Sequence, residues 1–416
     1  MKLFTQISKQ NYKNLVVYFT TSILTALIGL CINPILASKL SHTDYAIIGY
    51  YASFTTLFLP IISFSLSTYY ARNYHLLNDE KRKYLYNLIL TLFSTLGLGA
   101  FVLVVIFYAI YHRFCVASIP FTPYALLSFV PIYLSCYYNL YQVDLRMSNQ
   151  AIKYAIVTLT NSVVGACLSI VMVYVLTWGA FGRLLALLIA SALICSYVLI
   201  STRIRFVWNK TLIQEMLSFC WPLMVSGILS YFFLGIDRPM LEQLNDNYNL
   251  GLYNVGLQLS SYLAIFGTVL LQTFDPDLYK YTSTKQHGKV LKVAVMIVVL
   301  TLIPNVCFMF VSEPIIALLT ANRYIESAPF ANVLCLKNVT STCAFVLSGI
   351  LIGYGYSKYE LFNRSIGSLL SILLYYCLIR YFGYIGAAWG QSLSWLLMGI
   401  ISLLCLLIIS RKNANS

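Results

Sequence analysis

The chain has 416 residues, 60% hydrophobic and 10% charged, with a formal net charge of +14. A soluble domain carries roughly 25% charged residues, so the composition excludes a water-soluble enzyme or binding module and predicts an all-α polytopic membrane protein. A β-barrel is excluded as well, because barrel strands are short and alternate in polarity, whereas these apolar runs are continuous.

Twelve such runs approach the ~20 residues that carry a helix across ~30 Å of hydrocarbon, with the numbering of the sequence. In chain order they span 15–37, 46–69, 84–110, 121–143, 154–177, 184–202, 217–236, 252–274, 291–311, 329–353, 365–379 and 388–409. The first follows Lys2, Lys9 and Lys13 as a signal peptide would, but it is too long for an h-region and is kept as a span. The connections are short, which leaves no room for a folded soluble domain.

The cations explain the net charge. With the N-terminus in the cytoplasm, 20 of the 27 Lys and Arg residues collect on the cytoplasmic side, 6 fall outside, and Lys337 lies within a span. That bias predicts cytoplasmic termini at both ends and an even number of spans. The basic charge therefore reports topology, and no nucleic-acid partner is expected. The cysteines show no CxxC spacing, and only Cys115 falls in an outer loop, so they are read as small apolar residues.

Two halves, 1–210 and 211–416, share one plan. "NPIL" at 33–36 and "RPML" at 238–241 both close an odd-numbered span, with Pro34 and Pro239 aligned at one offset. The same offset carries Ser53, Thr56, Ser63 and Ser67 onto Gln258, Ser261, Thr268 and Gln272. "WGAFG" at 178–182 and "FGYIG" at 382–386 join the last two spans of each half. Six spans per half make the two parallel, an arrangement known among secondary transporters.

The polar stripes suggest a use. Ser53, Thr56, Pro60, Ser63 and Ser67 recur at 3 and 4 residues and share one helix face. Packing between helices would account for small polar residues. Glutamines in hydrocarbon need partners or water, and the paired stripes predict a hydrated cavity. Lys337, about 12 Å deep by helical rise, is expected to face it, continued by Ser341, Ala344 and Ser348. A central Lys costs about 2.5–3.5 kcal/mol on insertion scales. All 13 acids lie in loops or at span ends, so the cavity is expected to be positive and to suit an anion such as a phosphate. Arg183, at the start of the sixth span, is a second candidate cation. No phosphate loop of the GxxxxGK[ST] type is present, and no cofactor or metal site is read.

"IDRPMLEQLNDNYNLGLYNVGLQLS" resembles the signature between spans seven and eight of bacterial polysaccharide flippases, through Asp237, Arg238, Met240, Leu241, Gly251 and Tyr253. "SEPIIALLTANRYIESAP" and "GYIGAAWGQSL" are similar to their later loop and their entry into span twelve, although Asn322-Arg323 departs from the usual glycine. The resemblance implies the multidrug/oligosaccharidyl-lipid/polysaccharide exporter superfamily and, within it, an O-antigen-type flippase of the bacterial inner membrane. It implies an undecaprenyl-diphosphate-linked oligosaccharide as substrate, moved across the lipid bilayer by alternating access. A polysaccharide polymerase and a chain-length regulator are its implied partners. Lys337 and Arg183 would hold the headgroup, while Gln258, Gln272, Ser53, Thr56 and Ser341 line its path. Asp237, Arg238 and Pro239 would form an outer gate or hinge, the alternative being a local interfacial pair worth under about 1 kcal/mol. Two other functions stay open. One is a multidrug antiporter on the same fold. The other is a membrane enzyme acting on the same lipid, which the short outer loops and the off-centre His42, His75, His112 and His287 disfavour.

Overall fold

The computed structural model describes residues 9–74, 76–114, 118–202, 205–354 and 357–415, which leaves Cys115 and His75 outside the described residues. The helices run in the order α1 (Lys9–Ala37), α2 (His42–Ser53), α3 (Thr55–Ser63), α4 (Leu66–Asn73), α5 (Asp79–Leu92), α6 (Leu98–Phe114), α7 (Tyr124–Met147), α8 (Ala151–Ser169) and α9 (Gly179–Thr202). They continue with α10 (Lys210–Leu234), α11 (Asp237–Glu242), α12 (Asn247–Ser283), α13 (His287–Phe310), α14 (Ser312–Leu319), α15 (Ala328–Gly353) and α16 (Ser357–Asn415). No strand occurs among the described residues.

Ten segments of the described residues are long and apolar enough to cross a membrane. Two more passes are available by length. The 47-residue segment Phe362–Ile408 contains a break at Gly383, and α7, with 24 residues, reaches ~36 Å at 1.5 Å per residue. At Gly383 the backbone takes φ 58° and ψ −135°, outside any helix. Only glycine enters that region at low cost, so the "FGYIG" junction of the sequence is a real bend. The outward surface is apolar, with Leu103, Phe107 and Leu373 each more than 60% exposed. Side chains of that kind face acyl chains at no cost, whereas in water they would form an adhesive patch.

The second predicted span is not one helix. Residues 46–69 divide among α2, α3 and α4, with Phe64 (φ 47°) and Ser65 (φ 53°) in the left-handed region between α3 and α4. Pro60 within α3 lacks an N–H, and its ring crowds the carbonyl four residues back. The stripe from Ser53 to Ser67 therefore does not lie along one straight face.

By packing, the chain forms two compact units, Met1–Ser41 with Phe54–Ile228 and His42–Ser53 with Leu229–Ser416. The segment 42–53 thus packs in the second unit and 211–228 in the first, where the sequence divides the chain after residue 210. Unit 1 has an aromatic core: the Phe54 ring lies edge-on to Tyr108 at 5.0 Å, and Phe58 edge-on to Phe129 at 4.9 Å. Tyr141, Leu145, Val157 and Val198 join α7, α8 and α9. In unit 2, Leu278, Val290, Ile297, Val346 and Ile350 join α12, α13 and α15.

Unit 2 also explains the glycine of the Gly-x-Tyr motif. A Cβ on Gly251 would sit 2.2 Å from the carbonyl oxygen of His42, so α12 meets the start of α2 backbone to backbone. The oxygen cannot rotate away as a side chain would. Gly251→Ala is expected to lower stability by about 1–3 kcal/mol, the usual range for overpacking, read as a lower melting temperature of the purified protein.

Candidate functional site

The site builds from the break after α10. Pro239 lies inside α11, and the carbonyl its ring would strike in a continuous helix belongs to Gly235. The helix accordingly stops at Leu234 and restarts at Asp237. Carbonyls left free at a helix end need partners, and Phe233 O receives a hydrogen bond from the Tyr375 hydroxyl at 3.1 Å. The restart turns Asp237 inward, where it is 0% exposed.

An ionised carboxylate at that depth must be paired or hydrogen-bonded. Its Oδ2 accepts from the Tyr253 hydroxyl and, at 2.9 Å, from Nε2 of Gln391 on α16. Arg238 Nε lies 3.9 Å from the same oxygen, and Arg238 Nη1 donates to Gly49 O on α2 at 3.2 Å. The tyrosine of the Gly-x-Tyr motif is thus a donor to the motif's own aspartate. Asp237 Oδ1, Arg238 Nε and Gln391 Oε1 have no hydrogen-bond partner among the described residues. Both side chains of the pair are largely buried, Arg238 at 12% and Asp237 at 0% exposure, so solvent screens it little.

Lys337 stands on α15, within electrostatic reach of this group. It is partly buried, and the charges it feels are those of Arg238 and Asp237. Its Nζ makes no hydrogen bond among the described residues, so a cation stands ready with donors unused. Its neighbour Asn338 points elsewhere, as successive helical residues must. Asn338 Nδ2 donates to Ser260 O at 2.8 Å and to Asn305 Oδ1 at 3.0 Å, tying α15 to α12 and α13. Asn338 therefore holds the helices together.

The other predicted lining residues divide. Ser341 spends its hydroxyl on the Asn338 carbonyl at 3.1 Å. Further along that face, Ala344 packs with Phe233, Trp395 and Met398, and Ala344 and Ser348 line a small cavity of about 20 Å³. Ser53 is 1% exposed and bonds its own helix at Tyr50 O, 2.6 Å away, so it packs and lines no open space. Gln258 is partly buried, with Nε2 3.4 Å from the Tyr262 hydroxyl. The Gln272 side chain lies outside the described residues. Thr56 and Arg183 belong to unit 1, where Arg183 donates to Ser169 Oγ of α8. Gln391 was legible only as a polar residue in an apolar run, and nothing local tied it to Asp237.

Residues 12–274, well over half of the chain, match the family described as polysaccharide biosynthesis protein. Lsg locus putative protein 1 of Haemophilus influenzae is 22% identical over 383 residues, which cover 88% of this chain and 89% of that protein. An uncharacterized membrane protein of the same species is 24% identical over 361 residues, covering 82% and 83%. Among solved structures, lipid II flippase MurJ in an inward closed conformation superposes with a TM-score of 0.73 at 16% identity, covering 94% of this chain and 87% of that one. An inward-facing multidrug resistance MATE family transporter of the MOP superfamily gives 0.72 at 16% identity, covering 94% and 96%. The fold is thus one carried by membrane transporters. On these grounds the chain belongs to the polysaccharide biosynthesis protein family, a multi-pass membrane protein with the MOP transporter fold.

Proposed function

We propose that the protein is a flippase that moves an undecaprenyl-diphosphate-linked oligosaccharide of the O-antigen type from the cytoplasmic to the outer leaflet of the bacterial inner membrane. The observation that carries this reading is Lys337, a membrane-embedded cation with unused donors within electrostatic reach of a buried Asp–Arg pair. A diphosphate offers the acceptors and the negative charge that such a cation lacks. The family match supports the polysaccharide half of the proposal, and the likeness to lipid II flippase MurJ supports a lipid-linked substrate. The halves 1–210 and 211–416 would exchange access by rocking, with Asp237 and Arg238 at the turn that follows α10. A polysaccharide polymerase and a chain-length regulator would take up the product.

Purified protein in liposomes containing a fluorescent undecaprenyl-diphosphate oligosaccharide tests the proposal. The lipid is expected to change leaflet without covalent change. A covalently altered lipid would instead identify a membrane enzyme. Extrusion of cationic dyes with no lipid transfer would identify a multidrug antiporter, the reading that the MATE likeness supports.

A further inference from the structure

We propose that a second site, in unit 1, binds the phosphate of an anionic phospholipid headgroup. A cavity of about 600 Å³ opens there between the end of α4, the start of α5, the end of α7 and the segment after α9. That volume lies within the ~300–1,000 Å³ of small-molecule sites. Three charged groups on its wall are cations, Arg82, Lys83 and Arg205. Its two carboxylates are already engaged: Asp79 pairs with Arg82 Nη2 at 2.8 Å, and Asp144 accepts from the Tyr70 hydroxyl at 2.5 Å. The side chains of Lys83 and Arg205 have no partner among the described residues.

Two buried donors on the same wall also go unused. Tyr86 is only 8% exposed, yet its hydroxyl has no hydrogen-bond partner among the described residues, and neither has Arg82 Nε. Arg82 is otherwise fixed, stacked at 4.2 Å on the Tyr74 ring. A buried donor without an acceptor costs free energy, and a phosphate oxygen would supply several acceptors at once. The cavity sits where membrane-spanning helices end, on the side that the cation count assigns to the cytoplasm. That is the level of phospholipid headgroups, and basic pockets there are suited to anionic lipids. The site rests on none of the residues assigned to transport.

Native mass spectrometry of the full-length protein in detergent, titrated with phosphatidylglycerol or phosphatidylcholine, tests the proposal. Phosphatidylglycerol is expected to be retained in preference. Each basic residue near the headgroup level should be worth about fivefold, so Lys83→Ala with Arg205→Ala should weaken retention about 25-fold. The charge-conserving pair Lys83→Arg with Arg205→Lys should hold the lipid within about twofold. Tyr86→Phe should weaken it at least about tenfold, the worth of one hydrogen bond to a charged group. If the double alanine variant does not fold, Lys83→Gln and Arg205→Gln carry the test singly. Equal retention of the two lipids, or no loss in either single variant, would overturn the proposal. So would retention of inorganic phosphate that millimolar phosphate saturates while no lipid is held, because the site would then take a free anion.

Discussion

Lys337→Ala is expected to abolish surface polysaccharide while the protein still reaches the membrane in normal amount. The two halves of that expectation have separate causes. Removing a cation from the middle of α15 takes away an insertion cost of about 2.5–3.5 kcal/mol, so the variant helix enters lipid more readily than the native one. What is lost is a cation well inside α15 whose Nζ has no hydrogen-bond partner among the described residues. Truncating one side of a charged contact costs about 2–5 kcal/mol, a fall of at least about thirtyfold in headgroup affinity. Lys337→Arg keeps the charge but spreads it over a larger planar group, and partial export is expected. Complementation of a null strain, with surface polysaccharide and protein level measured together, reads both. Normal export by the alanine variant would remove the diphosphate assignment and leave the family membership intact.

Asp237→Ala is expected to cost about 3–5 kcal/mol of stability, the range for stripping one member from a buried ion pair. Three groups lose their counterpart together: the Tyr253 hydroxyl, the Gln391 amide and the Arg238 guanidinium. The loss should appear as a large drop in melting temperature in detergent. Asp237→Asn keeps an acceptor for Tyr253 but removes the charge, so its stability loss should be smaller. Adding Arg238→Gln to Asp237→Asn should cost less than the two single losses summed, because neither charge is then left alone. Transport separates scaffold from gate. If Asp237→Asn transports at the full rate at normal expression, the pair is a structural clasp with no part in gating.

Much of the fold was legible because hydrocarbon imposes one rule: backbone groups must pair within the segment, and only long apolar helices do so alone. Gly383 and the run around it announced their bend through a residue type that tolerates the conformation. Phe64 and Ser65 gave no such notice. They take left-handed backbone without being glycine, a conformation that only tertiary contacts hold, so the second span read as unbroken. The site was less legible for a related reason. Asp237 looked like a span-end charge because its sequence neighbours are apolar on one side and polar on the other. Its burial depends on Tyr253, 16 residues away, and Gln391, 154 residues away. Ser53, by contrast, matched a helical period and still packed against its own backbone, since periodicity records a face and not what covers it.

The backbone at Gly383 has a consequence for where the chain ends. Unbent, the 59 residues from Ser357 to Asn415 would form a rod ~88 Å long at 1.5 Å per residue, nearly three bilayer cores laid end to end. The rod would leave the membrane on the far side and carry its last residues into the opposite aqueous compartment. The backbone of one residue folds it into a hairpin instead, and the tail comes back to the compartment from which the segment set out. A fluorescent protein fused after residue 416 would therefore report, by which compartment it lights, whether that single turn has formed.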